Sequence, residues 1–190
     1  MDKPFIADKE FKGQDYTKNR LPLGEYENCV FVNCDFSDGF LDNNIFLECE
    51  FEECNLSNAN LKHSQFKEVV FRGCKMMGLR FEDCSDFLIS FKFVQCSLNL
   101  SSFYQLPLRN TVFEDCKLLE VDFTEADLSG ASFKRSELHQ AVFDQTVLEK
   151  ADFREAVGFQ IDPEQNRLKK ARFSRDTIEG LLIKYDLLIS

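Results

Sequence analysis

The chain has no tryptophan, two histidines, four prolines and eight glycines among 190 residues. The two histidines, His63 and His139, are remote in sequence and fall at outward positions of the repeat described below, so no metal site is expected. No glycine-rich phosphate motif is present, and no cofactor is expected. No apolar run approaches the roughly 18 residues of a membrane-spanning helix. The opening residues MDKPFIADKE are too charged for a secretory signal, which sets the expectation of a soluble, cytoplasmic protein. Lysine and arginine are missing from residues 21–61, and the formal net charge is -10. That balance argues against direct nucleic-acid binding and against docking on anionic membrane, and it favours a basic partner surface.

What is there in excess is phenylalanine, twenty-one of them, and they fall on a period of five. From Ile6 every fifth residue is apolar or tyrosine: Phe11, Tyr16, Leu21, Tyr26, Phe31, Phe36 and onward to Phe81. The next step lands on Asp86. From Phe93 the frame resumes two residues out of phase and alternates Phe and Leu to Phe153. A period of five is neither helical nor that of a strand. It fits a four-sided coil of twenty residues per turn, and residues twenty apart do match. Phe11, Phe31, Phe51, Phe71 and Phe91 form one such file, and Phe93, Phe113, Phe133, Phe153 and Phe173 another. The sequence therefore predicts an all-β solenoid of about eight coils, with rings stacked on the axis at the strand spacing of about 4.8 Å.

Seven of the eight cysteines stand two residues before an inward residue, in a slot that elsewhere holds alanine or serine. They read as small buried side chains, not as a disulfide framework or a metal site. Stacked about 4.8 Å apart, they exceed the usual Cβ separation of a disulfide. The frame break at residues 84–88 admits two readings, a bulge in one coil or a binding loop, and counting back from Phe93 points Leu88 inward. The break hides two extra residues within Cys84–Phe87. Residues 1–173 read as the solenoid. Residues 174–190 read as a C-terminal helix capped by Ser174, with Ile178, Leu181, Leu182 and Tyr185 on one face and Leu188 beyond. Such a helix covers an open sheet end and can bury against a second copy, giving a homodimer.

The units VDFTEADLSG (121–130) and ADLSGASFKR (126–135) resemble the pentapeptide-repeat family, whose unit is A-(D/N)-(L/F)-x-x. The resemblance covers residues 6 to about 156 and implies a right-handed quadrilateral β-helix. The C-terminal stretch IDPEQN…KKARFS…GLL…YD resembles the subgroup related to quinolone- and albicidin-resistance proteins. That resemblance implies a dimeric DNA mimic that binds DNA gyrase or topoisomerase IV, type II topoisomerases. The long projecting loops of some resistance members have no counterpart in this sequence.

No catalytic constellation stands out, and a dense cylinder leaves no interior pocket, so an enzyme is not expected. The candidate surface is acidic: Glu48, Glu50, Glu52 and Glu53 in one stretch, Asp115, Glu120, Asp122, Glu125 and Asp127 in another. The bland alternative is a solvated face with opposite charges stacked between coils, as in Asp42, Lys62, Glu82 or Asp115, Arg135, Glu155. Asp122 and Asp127 stack on Val142 and Val147 and so lack partners of that kind. A rigid scaffold or adaptor for some other protein is the second functional expectation.

Overall fold

The computed structural model describes residues 3–188. Each five-residue side spends its outer residues on corners and leaves about three for pairing. One side of the coil is a parallel sheet of β1 (Phe5–Ala7), β3 (Glu25–Glu27), β5 (Ile45–Leu47) and β7 (Gln65–Lys67). The next is a six-stranded parallel sheet of β2 (Glu10–Lys12), β4 (Val30–Val32), β6 (Glu50–Glu52), β8 (Val69–Arg72), β9 (Phe91–Val94) and β10 (Val112–Glu114). Single-residue bridges link the third and fourth sides, such as Asn55↔Lys75 and Asp122↔Val142. The register places residue n under n+20, as in Tyr26↔Phe46 and Phe31↔Phe51. The fold is a right-handed quadrilateral parallel β-helix. Where about eight coils were expected, the solenoid makes about six turns. Single bridges then carry the second side on through Val112↔Ser132, Ser132↔Asp152 and Asp152↔Arg172.

The axis is dry and aromatic. On the second side Phe93, Phe113 and Phe133 stack at 5.1 Å with interplanar angles of 10° and 2°. Rings on opposite sides meet edge to face across the axis, as Phe103 of the fourth side and Phe113 of the second do at 6.0 Å and 82°. Both are favoured aromatic geometries, and each fully buried ring contributes about 1.5–3 kcal/mol.

Cysteine is more than filler in these coils. Cys54 Sγ donates to the Phe31 carbonyl at 3.2 Å, Cys74 to Phe51 at 3.3 Å and Cys34 to Phe11 at 3.3 Å. The Cys34 N–H in turn donates to Cys54 Sγ at 3.4 Å. Ser64, Ser136 and Thr146 repeat the donation to the carbonyl 23 residues back. Asn44 and Asn166 accept from the slot N–H below, at Gly24 and Thr146. All eight cysteines are buried and free, and burial pushes the Cys49 thiol up to about 12.

The frame break lies between Ser85 and Ser90. Ser85 N–H still donates to Ser64 O, whereas Ser90 N–H donates to Phe66 O, and β8 then pairs with β9 at an offset of 22, Phe71↔Phe93. Phe93 continues the Phe11 file, stacked on Phe71 at 5.4 Å. The two files expected from the sequence are thus one, and Phe91 belongs to neither. Phe91 tilts against Phe66, meets Phe81 edge to face and fills the inward space of the first side. Leu88, expected inward, is therefore displaced: it is 58% exposed at φ 56° beside Phe87 at 69%, and Ile89 is buried instead.

The expected C-terminal α-helix is not formed. Ile178–Leu181 and Ile183–Tyr185 are two 3-10 turns, and no side chain caps the first. Ser174 bonds Thr177 Oγ1 rather than a helix N–H. Close packing explains the shape. The Gly180 carbonyl accepts from Ile161 N–H at 2.9 Å, and a Cβ at Gly180 would strike the Phe159 ring and carbonyl. Residues 189–190 of the expected helix lie outside the described residues. Among the described residues no helix is long and apolar enough to cross a membrane.

Candidate partner-binding surface

Outward side chains leave each coil from two kinds of position. Residues flanking an inward ring project from the flat sides. The second residue after the ring turns the corner with positive φ, as at Glu48 (52°), Glu53 (51°), Asp115 (54°), Glu120 (55°) and Glu125 (58°). Left-handed backbone is costly for side chains other than glycine, asparagine and aspartate. The ladder holds it: the N–H groups of Glu120 and Glu125 donate to His139 O at 3.0 Å and Asp144 O at 2.8 Å. At the corner above Glu53 stands Gly73, at φ 61°, and the Glu53 carboxylate occupies the space a Cβ there would take.

The nine sequence-selected carboxylates are not one surface. Glu50 and Glu52 stand on the second side with Glu48 and Glu53 at its edges, and Asp115 marks the same edge as Glu53 three coils on. Glu120 sits at the edge between the third and fourth sides, Asp122 and Glu125 belong to the fourth, and Asp127 lies on the first. Three of the nine are neutralised. Arg72 pairs with Glu50, Arg135 with Asp115 at 2.6 Å, and Arg109 with Asp127 at 2.6 Å. Asp127, expected to lack a partner, finds one from 18 residues back instead of twenty ahead. Burial pushes its carboxyl up, but hydrogen bonds from Ser129 and Arg109 outweigh that and hold it below the usual range.

The expected charge ladders are half right. Arg135 joins Glu114, Asp115 and Glu155, and Lys134 joins Glu114 at 2.8 Å. Asp42, however, pairs with Arg20 at 2.9 Å, not with Lys62, and Glu82 pairs with Arg80.

The other six of the nine have no ion pair among the described residues and fall into two groups. Glu48, Glu52 and Glu53 line the early coils. Glu120, Asp122 and Glu125 occupy the fourth side of the later coils, joined by exposed Asp144, which the sequence reading passed over. Stacking Asp144 twenty above Thr124 would have found it. Among the described residues none of these seven has a cation within ion-pair distance. Glu125 accepts from Gln105 Nε2 at 2.7 Å, and Asp122 accepts from Thr124 N–H at 2.8 Å, so both carboxylates are held in place. His63 and His139 stand at outward positions, and no group of residues suited to a metal occurs among the described residues.

The tail presents the second candidate surface. Of the five residues expected at a dimer joint, Leu181 packs against the core and Leu182 is half-buried. Ile178, Tyr185 and Leu188 are exposed, together with Ile183 and Leu187. Lys184 anchors the tail to Asp162 at 2.6 Å and Glu164 at 2.8 Å, and holds both carboxyls below their usual range.

A parallel solenoid with twenty-residue turns, inward rings and small slot residues defines a repeat-scaffold class of protein. Family models place it: one described as "Pentapeptide repeat region" matches residues 44–123, and one described as "Pentapeptide repeats (8 copies)" matches 108–145 and 122–157. The chain belongs to the pentapeptide-repeat proteins. Among solved structures it is similar to a trypsin-treated single-residue variant of QnrB1, described as a plasmid-mediated fluoroquinolone resistance protein. The identity is 17%, the TM-score 0.66, and the match covers 100% of this chain and 95% of that one. HetL from the cyanobacterium Nostoc sp., described as involved in heterocyst differentiation regulation, matches at 15% identity and TM-score 0.31, covering 90% of this chain and 88% of that one. At 17% identity the likeness to the QnrB1 variant concerns the fold. No curated protein sequence matches the chain.

Proposed function

We propose that this protein is a non-enzymatic DNA mimic that occupies the DNA-binding groove of a type II topoisomerase, such as DNA gyrase or topoisomerase IV, and modulates it or protects it from inhibitors such as quinolones. The observation that carries the reading is the uncompensated strip of Glu120, Asp122, Glu125 and Asp144 on one side of a rigid rod. Carboxylates without local partners cost the fold their mutual repulsion and offer a basic groove its attraction. Four charges over one to two coils fall short of duplex DNA, which carries about six per 10 Å. The mimicry thus rests on sign, width and stiffness more than on charge density. Fold-level likeness to a fluoroquinolone resistance protein supports the choice of partner. The exposed apolar residues Ile178, Tyr185 and Leu188 of the tail suit a homodimer joint.

The test is retention on immobilised gyrase across a salt series. Binding should weaken steeply with salt, and Glu120→Gln/Asp122→Asn/Glu125→Gln should reduce retention at least tenfold at low salt. Equal retention of wild type and triple variant would sink the reading. A second reading, a scaffold for another protein, is favoured by the final coil, where exposed Lys169, Lys170, Arg172 and Arg175 interrupt the negative charge. A reproducible partner other than a topoisomerase in pull-downs would support it.

A further inference from the structure

Residues 165–175, QNRLKKARFSR, hold five cations and no acid in a chain of net charge -10. The structure gathers them on the last coil. Lys150 and Lys170 occupy successive corners of one edge, at φ 61° and 62°, and the Lys150 N–H donates to Lys169 O at 3.0 Å. Two like charges stacked at coil spacing repel, and no carboxylate lies between them. Arg167 reaches down to Glu149 at 2.8 Å, and Arg172 lies 3.8 Å from Asp152, which Arg154 already holds at 2.6 Å. Lys150, Lys169, Lys170 and Arg175 are exposed and have no acid within ion-pair distance among the described residues. Asp176 and Glu179, in the tail, are the uncompensated acids nearest in sequence.

A second observation concerns the backbone. In the coil below, the N–H groups of Leu148, Lys150 and Phe153 donate upward to Arg167, Lys169 and Arg172. Their counterparts one coil on, Leu168, Lys170 and Phe173, have no coil above. The tail crosses over Phe159 and Ile161 instead, so these three N–H groups meet no acceptor among the described residues. An edge of free N–H donors flanked by lysine and arginine matches phosphate oxygens, which nucleic-acid-binding proteins contact with these same groups.

We propose that the final coil docks on the phosphodiester backbone of nucleic acid, whether or not the protein binds a topoisomerase. Overall charge does not forbid this. The acidic residues 21–61 lie several coils below, well beyond a Debye length of about 8 Å, and the nearer uncompensated acids, Glu120, Asp122, Glu125 and Asp144, stand on the fourth side and its edges, not on the edge that carries Lys150 and Lys170. The main alternative, end-to-end stacking on a second copy, fits less well. The first twenty residues carry five lysines and arginines against four acids, so that end offers no negative surface.

The experiment is fluorescence anisotropy of a labelled duplex with the full chain, at salt from about 25 to 200 mM. Wild type should bind weakly, with affinity falling as salt rises. Lys150→Glu/Lys169→Glu/Lys170→Glu should lose at least tenfold at low salt and flatten the log–log salt slope by about 2.7, since each lost phosphate contact removes about 0.9. Arg175→Gln alone should flatten it by about 0.9. Lys9→Glu/Lys12→Glu/Lys18→Glu changes net charge equally and should keep the wild-type slope. Absence of binding at the lowest salt overturns the proposal. So does equal loss in the Lys9/Lys12/Lys18 variant. Patch-dependent self-association in sedimentation, without duplex binding, overturns it as well.

Discussion

The early and late coils share one axis but turn their corners differently. In the early coils cysteine holds the small slot between the first and second sides and between the second and third. The arms around it run extended as β3 to β9. In the late coils alanine takes over several of these slots, and its N–H closes a tight turn: Ala131 donates to Leu128 O at 3.0 Å, Ala151 to Leu148 O at 3.1 Å and Ala156 to Phe153 O at 3.1 Å. Those coils keep only single-residue bridges between layers. No such turn bond forms at Cys29, Cys34, Cys49, Cys54 or Cys74. The difference teaches that the slot residue selects the corner. A thiol serves the N–H of the coil below and the carbonyl behind it, and at the cysteines the backbone stays extended. Alanine closes the turn, and so do Asn44, Ser64, Ser101 and Ser136, whose N–H groups find a partner three residues back on their own chain, as a buried donor must.

The sharpest way to break this comparison is to show that the axis itself differs between the halves. Phe51→Ala and Phe133→Ala should each cost about 3–5 kcal/mol in denaturant unfolding. Equal costs would confine the difference to the corners, and a gap above about 2 kcal/mol would show that the late stack packs otherwise. Next in size, Ser136→Ala removes the acceptor of the Cys116 N–H and the donor to the Phe113 carbonyl, and should cost about 1–3 kcal/mol. Cys54→Ala should cost less, because a thiol is a weak donor and acceptor. The reverse order would mean that sulfur supports the early corners by packing rather than by hydrogen bonds.

The smallest effect is electrostatic. Hydrogen bonds from Lys134 and then Arg135 hold Glu114 below its ordinary 4.5, and Arg135 holds Asp115 below its ordinary 3.8. Depressed carboxyls stabilise the fold fully above those ordinary values and lose their contribution as pH falls through the lower folded ones. Arg135→Ala should therefore leave thermal stability at pH 7 slightly reduced and make its decline below about pH 4.5 shallower. An unchanged acid limb would show that this exposed cluster contributes nothing.

Much of this fold was readable because the repeat repeats. Every inward ring from Leu21 to Phe81 and from Phe93 to Phe153 is buried as its period requires. The misreadings sit where the period stops. Leu88 was placed by counting, but counting cannot see that Phe91 takes the same space. The tail has helical spacing at Ile178, Leu181, Leu182 and Tyr185, yet Gly180 must pass close over Phe159, and that contact favours tighter turns. The site was less legible. A carboxylate's partner depends on side-chain reach across a corner, so Arg109 finds Asp127 at a distance in sequence that no column of twenty contains. Cysteine's hydrogen bonds were hidden for a related reason: composition shows its size, not where its proton points.

The continuous file of phenyl rings through the break at Ser85–Ser90 has a modular consequence. Since the stack tolerates two surplus residues without losing registry, whole twenty-residue units could be spliced in or cut out between Phe93 and Phe153. Each would move the tail along by about 4.8 Å. The molecule is in that sense a ruler graduated in strand widths, whose length can be reset by gene duplication while the chemistry at either tip stays as it was.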